Sequence, residues 1–302
     1  MELIYAGSVK ELYQVPEKDE LEFQFTDKIS VFDKPIPSLI PHKGETLCRT
    51  AVHWFKIAEA MGIKTHFLEQ VSPTRIRVKK VNIIRDYNKI TPSTTQYLIP
   101  CEFITRYYVA GSFFDRIQKG EINPVELGWE NTAKVNYGDK LPYPFFETTT
   151  KLERVDRKID FEEALRISGI DKDTLEEIRS IIFRIDEKIN QEVAQRGLIH
   201  VDGKKEFGMD ENRNLMIIDV FGTADEDRFW DAEEYSHHRY IEMSKEVVRQ
   251  YYRKIGYKDA LYEAREKGLP EPDIPPLPKE VISQVTEVYI NLYEKITGKK
   301  FK

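Results

Sequence analysis

Short β-prone runs open the chain. Leu3-Ile4-Tyr5, residues 9–15 and residues 21–25 are rich in aromatic and branched residues, and Gly7-Ser8 and the turn-like stretch 16–19 separate them. Apolar positions then shift to helical spacing over residues 45–60, where Leu47, Ala51, Trp54, Phe55 and Ala58 share a face and Gly62 follows as a C-cap. Residues 66–84 return to strands, including the alternating run Arg75-Ile76-Arg77-Val78-Lys79, and residues 97–108 read as a second β-rich stretch. Gly111-Ser112 begins a short helix through Ile117, and residues 123–158 read as loop, with Pro124, Pro142 and Pro144 and little periodicity.

The clearest helix covers residues 174–196. Leu175, Ile178, Ile182, Ile185, Ile189 and Val193 form one stripe, Asp173 and Glu176 suit its start, and Gly197 closes it. A hairpin follows: residues 198–207, a polar turn over 210–214, then 215–221. Another helix is expected over residues 232–255. Five prolines between residues 270 and 278 mark a stiff connector, and residues 280–296 form a final amphipathic helix with Val281, Val285, Val288, Leu292 and Ile296 on one side.

Composition narrows the class. The chain has 302 residues, enough for about two domains. Its 46 basic and 52 acidic side chains leave a net charge of −6, which argues against a nucleic-acid coat but not against local basic pockets. Cys48 and Cys101 are too few for a disulfide framework or a zinc site by themselves and read as small buried hydrophobes. No signal pattern opens the chain and no apolar run reaches the roughly 20 residues of a membrane span, so a cytoplasmic globular protein is expected.

Candidate chemistry concentrates in the hairpin. Asp202, Lys204 and Glu206 are two apart and share one strand face. With a turn near Asn212, Glu206 lies roughly opposite Asp219, the one carboxylate in an apolar run. Two facing carboxylates suit a hard cation such as Mg²⁺, although by themselves they read more simply as a solvated face neutralised by Lys204 and Lys205. A polar loop then leads from Gly222 through Asp225 to Arg228-Phe229-Trp230, and that Arg is either an anion clamp or a surface ion pair. Gly7-Ser8-Val9-Lys10 can lay backbone and an ammonium against phosphates, although neither a Walker A nor a dinucleotide fingerprint is present. Lys43 before the first long helix, and Arg106 ahead of Gly111-Ser112, are plausible anion sites. His200, His237 and His238 lack metal-like spacing and read as structural or surface residues.

The order of these blocks is more specific than any one of them. Gly7-Ser8-Val9-Lys10-Glu11-Leu12-Tyr13, Thr26-Asp27-Lys28-Ile29-Ser30 and Ile40-Pro41-His42-Lys43-Gly44-Glu45 come first, followed by Pro100-Cys101-Glu102-Phe103-Ile104-Thr105-Arg106 and Thr149-Thr150-Lys151. With residues 197–208 and 218–230, they resemble the SAICAR synthetase family, the phosphoribosylaminoimidazole-succinocarboxamide synthases of purine biosynthesis. The resemblance implies ATP-dependent condensation of the CAIR (carboxyaminoimidazole ribonucleotide) carboxylate with L-aspartate, through an acyl phosphate. It implies an α+β, two-domain fold with ATP in the cleft between domains, similar to protein kinase and ATP-grasp architectures.

Carried over residue by residue, the resemblance places Gly7, Ser8, Lys10 and Glu102 at ATP and has Glu206 and Asp219 hold Mg²⁺. Asp202 and Lys204 fall at the reacting groups, and Arg106, Ser112, Arg228, Lys43, Lys151 and Asp225 at the substrates, Lys151 on the succinyl side. Two departures stand out: Ser8 occupies a usual Lys position, and Gly203 replaces a frequent aromatic. The expected division is a β-rich ATP-binding domain over residues 1–98, a substrate and metal domain over 99–268, and a connector and helix over 269–302 packed on the second domain or serving a homo-oligomer interface. Two alternatives are a small-molecule kinase, which needs no amine cosubstrate, and a non-catalytic nucleotide-binding module, for which a Mg²⁺ pair has no purpose.

Overall fold

The computed structural model describes the chain except Ser8 and residues 131–133. Two compact units emerge, one built from Met1–His53, Phe67–Lys79 and Glu242–Lys302, the other from Trp54–His66 and Lys80–Ile241. This division departs from the sequence-based boundaries near residues 98 and 268, because the C-terminal segment joins the N-terminal strands.

In the first unit, β1 (Glu2–Ala6), β2 (Lys10–Gln14) and β3 (Glu20–Phe25) are followed by the small hairpin β4 (Lys28–Val31) and β5 (Lys34–Leu39). Helix α1 (Lys43–Ala60) comes next, of which residues up to His53 belong to this unit, then β6 (Phe67–Ser72) and β7 (Arg75–Lys79). The five-stranded antiparallel sheet runs β1-β2-β3-β7-β6. Its alternating basic strand has a structural use: Arg75 and Arg77 bond the buried Glu22 carboxylate at 3.3 and 2.8 Å. That pairing satisfies a carboxylate that would otherwise be buried alone.

The second unit is organised around a six-stranded sheet ordered β10-β9-β8-β11-β12, with β13 also pairing β11. Here β8 is Tyr97–Tyr108, β9 Lys140–Thr150, β10 Lys158–Ile159, β11 Leu198–Met209, β12 Leu215–Ile218 and β13 Asp227–Asp231. Helices α2 (Gly111–Gln118), α3 (Phe161–Ser168), α4 (Lys172–Ala194) and α5 (Ala232–Ser236) complete it. Every expected apolar position of α4 is buried, and Asp186 lies buried among them. The helix starts two residues earlier than expected, because the Asp171 side chain caps Thr174 N–H.

Two expectations fail. Strand β9 crosses the stretch read as loop; Pro142 and Pro144 fall where its register with β8 slips between Tyr108↔Lys140 and Arg106↔Phe145, so neither proline has to donate to the ladder. The helix expected over 232–255 is two helices, α5 and α6 (Glu246–Lys254). His238 turns into the left-handed region (φ 57°), and Tyr240 folds back to within 5.3 Å of the Trp230 ring. Helix α7 (Tyr257–Glu266) follows.

The last helix, α8 (Lys279–Thr297), buries Val285, Tyr289, Leu292 and Ile296. It belongs to the first unit, not the second: Tyr289 covers the Lys43 ammonium at 5.5 Å, and Arg49 of α1 lies over Tyr293 at 5.7 Å. Cys48 and Cys101 are free and buried, and burial pushes both thiols up to about 12. Among the described residues, no helix is long and apolar enough to cross a membrane.

Candidate active site

Strand β11 forms the centre of the site. Asp202 sits opposite Arg106 of β8 on one side and Arg228 of β13 on the other. Both guanidiniums reach its Oδ2 at 3.4 Å. Glu147 of β9, absent from the sequence reading, bonds Arg106 at 2.6 Å and Arg116 of α2 at 2.8 Å. Burial opposes ionisation of Glu147, but Arg106 and Arg116 outweigh it and hold this carboxyl below the usual carboxylate range. Three guanidiniums thus face two carboxylates, leaving one positive charge in excess.

The N-terminus of α2 meets this cluster. Gly111 has φ +53°, and a Cβ there would stand 2.6 Å from Arg228 Nη2, so only glycine lets the guanidinium lie against the helix start. Ser112 is the next residue, and Ala110 gives the helix no side-chain cap. First-turn N–H groups beside two arginines make an anion-binding corner.

A second cluster lies further along the same face. Glu206 pairs with Glu102 across β8. Lys151, just past β9, bonds Glu206 at 2.5 Å and Glu102 at 3.5 Å. Lys204 reaches Glu102 at 2.8 Å, Glu226 at 3.2 Å and Glu206 at 3.5 Å. Burial works against both ammoniums, yet Glu226, Glu206 and Glu102 hold Lys204 above its ordinary value, and Glu206 and Glu102 do the same for Lys151. Burial also pushes the Glu102 carboxyl up, with Lys204 offsetting only part of the effect.

Here two ammoniums face three carboxylates. The Glu206–Asp219 pairing is one residue out of register: Glu206 opposes Ile218, and Asp219 follows β12 in the left-handed region at φ 58°. An acid-rich set of hard oxygens short of positive charge fits Mg²⁺, which needs only one or two protein carboxylates when phosphates and water complete its shell.

Among the described residues, the one metal-like trio is elsewhere: Asp186, His200 and Asp227, all buried. It is filled by the Lys205 ammonium, which pairs with Asp186 and lies 3.5 Å from Asp227 Oδ2. His200 thus lies in a buried charge cluster, and Lys205 faces away from the acids it was expected to neutralise.

The remaining candidates lie in the first unit or in the loop after β12. Lys10 opens β2 with its ammonium 4.9 Å above the Phe23 ring, and Gly7 N–H bonds the Lys10 carbonyl. Ser8 lies outside the described residues. Asp225 is half-buried in the loop before β13. Lys43 is fully buried, with its ammonium 5.5 Å from the Tyr289 ring. Gly44 N–H already donates to Asp27 Oδ1 at 2.9 Å, occupying a donor of that helix start. Glu147 went unread because the pairing of β9 with β8 brings it in, and Arg116 and Glu226 because they arrive from α2 and from the loop before β13, none of which sequence spacing shows.

The second unit is thus α+β, with an arginine-rich and an acid-rich cluster along one strand. The sequence profile of the SAICAR synthetase family matches residues 3–264, and the chain belongs to that family. It is 50% identical over 301 residues to the phosphoribosylaminoimidazole-succinocarboxamide synthase of Thermoplasma acidophilum and 49% identical to that of Thermoplasma volcanium, covering 100% of each chain. A solved SAICAR synthetase in complex with ADP superposes with a TM-score of 0.70 at 26% identity, over 99% of both chains.

Proposed function

We infer that this enzyme joins the carboxylate of CAIR to the amino group of L-aspartate, with ATP cleaved to ADP and phosphate, to form SAICAR in purine biosynthesis. Membership of the family across the chain carries this reading, and the two charge clusters on β11 give it a physical basis. A carboxylate does not acylate an amine at neutral pH. Its oxygen attacks the γ-phosphorus and ADP leaves; the aspartate nitrogen then attacks the acyl carbon, phosphate departs and the amine loses a proton.

Arg106, Arg228, Ser112 and the α2 N-terminus receive the ribose phosphate of CAIR. About 13 Å of strand separates Asp202 from Glu206 at 3.3 Å per residue, room to span a ribonucleotide from phosphate to reacting carboxylate. Lys204, held protonated by its acidic neighbours, acts as a cation that neutralises the transferring phosphoryl group and not as a base. Asp202 orients both arginines. Glu206 and Asp219 would hold Mg²⁺, which neutralises phosphate charge when bound, with Glu102 beside them. Lys151, now on Glu206, is released to substrate carboxylates when that charge arrives. Gly7, Ser8, Lys10 and Asp225 serve the ATP phosphates and the substrate loop.

The test is ADP release from Mg²⁺-ATP and CAIR with and without aspartate. Strict dependence on aspartate is expected. Equal release in its absence would instead mean a kinase acting on CAIR.

A further inference from the structure

The back face of β11 holds a charge cluster with no part in the reaction described above. Asp202, Lys204 and Glu206 face the site; Lys205 points the other way and is fully enclosed. Its ammonium pairs with Asp186 of α4 and lies 3.5 Å from Asp227 Oδ2. The same Oδ2 meets His200 Nε2 at 2.7 Å, while His200 Nδ1 lies 3.2 Å from Asn190 Oδ1 of α4. Tyr107, the neighbour of Arg106 on β8, donates to Asp186 Oδ2 at 2.9 Å. A further contact is the informative one: Gly222 N–H donates to Asp227 Oδ1 at 2.8 Å.

Asp227 thus closes the loop from Gly222 onto the sheet, one residue before Arg228. It lies so close to β11 that a Cβ on Gly203 would come within 2.2 Å of Asp227 Oδ2 and 3.0 Å of His200 Nε2. The missing side chain at Gly203 is the space the carboxylate occupies. Burying a carboxylate here is costly unless it is paired. Burial opposes ionisation of Asp227, but Lys205 and His200 outweigh it and hold its carboxyl below the ordinary range.

We propose that Asp227, locked behind Gly203 by Lys205 and His200, is a positioning residue that sets the Gly222 turn and thereby aims Arg228 at the phosphate of CAIR. The inference rests on the reading of Arg228 as a CAIR contact. Asp227 touches no substrate; its effect reaches the reaction only through its neighbour.

The test compares Asp227→Ala, Asp227→Asn, Gly203→Ala and Arg228→Ala by KM for CAIR, KM for ATP and kcat, each variant first checked for folding by circular dichroism. Asp227→Ala should raise the CAIR KM by about tenfold or more while leaving the ATP KM within about twofold. Asparagine keeps the acceptor for Gly222 N–H and should restore most of the CAIR affinity. Gly203→Ala, which leaves every charge in place but displaces Asp227, should reproduce the alanine phenotype even if Asp227→Ala fails to fold. A CAIR KM within about twofold of normal in the folded variants, or equal rises in both KM values, would overturn the proposal. If Arg228→Ala raises the CAIR KM and these variants do not, only the positioning role fails. A normal CAIR KM in Arg228→Ala removes the reading of Arg228 and this proposal with it.

Discussion

Replacing Glu147 by glutamine removes one negative charge from between two arginines and little else. The carboxylate side chain is 2% exposed, and those of Arg106 and Arg116 are 10% and 22% exposed, so solvent does little to screen the loss. Breaking a buried ion pair by removing one partner costs roughly 3–5 kcal/mol, and a retained amide hydrogen bond returns about 1, so a loss of about 2–4 kcal/mol is expected. For a chain of this size that corresponds to a fall in Tm of roughly 3–6 °C.

The pH dependence gives a sharper signature. A carboxyl whose folded pKa is depressed contributes its full stabilisation above its unfolded value, about 4.3 for glutamate, and loses it as pH falls through the folded value. The stability gap between wild type and Glu147→Gln should therefore be constant near neutrality, narrow below about pH 4, and close once the carboxyl is protonated. Thermal or urea unfolding of both proteins across this range measures it. A gap that is absent at neutral pH, or that widens under acid, would refute the reasoning.

Other outcomes follow from the same geometry. Asp219→Asn should abolish turnover while leaving the circular dichroism spectrum and Tm near normal; appreciable activity at limiting Mg²⁺ would remove Asp219 from the metal. Gly111→Ala must adopt φ +53° and meets the Arg228 guanidinium, so it should cost roughly 1–2 kcal/mol and raise the CAIR KM, with the ATP KM unchanged. Cys48 and Cys101, buried with thiols raised to about 12, should resist a thiol-titrating reagent in the native state and react only after denaturation.

Elements with a strong local signal were legible from residues alone. The apolar stripe of α4, the run 97–108 and the hairpin of β11 and β12 stand close to where periodicity and turn residues put them. What the chain hides is pairing. Strand β9 escaped because its prolines mimic a loop, and Glu147 went with it, so the partner that answers Arg106 and Arg116 was hidden. The helix over 232–255 was overcalled because a single positive φ at His238 and the aromatic packing of Tyr240 leave no periodic trace. Alternation did put Asp202, Lys204 and Glu206 on one face, but which cations answer them depends on strand order. Lys43 shows the same limit: its position at a helix start is legible, but its burial beneath Tyr289 of α8 is not.

The central claim is that ATP activates the carboxylate of CAIR for attack by aspartate on this enzyme. It is tested most directly by supplying CAIR labelled with oxygen-18 in that carboxylate and analysing the phosphate released. Transfer of the γ-phosphoryl group to the carboxylate predicts labelled oxygen in the phosphate, formed together with SAICAR and only when aspartate is present. Unlabelled phosphate, or phosphate released equally without aspartate, would contradict it.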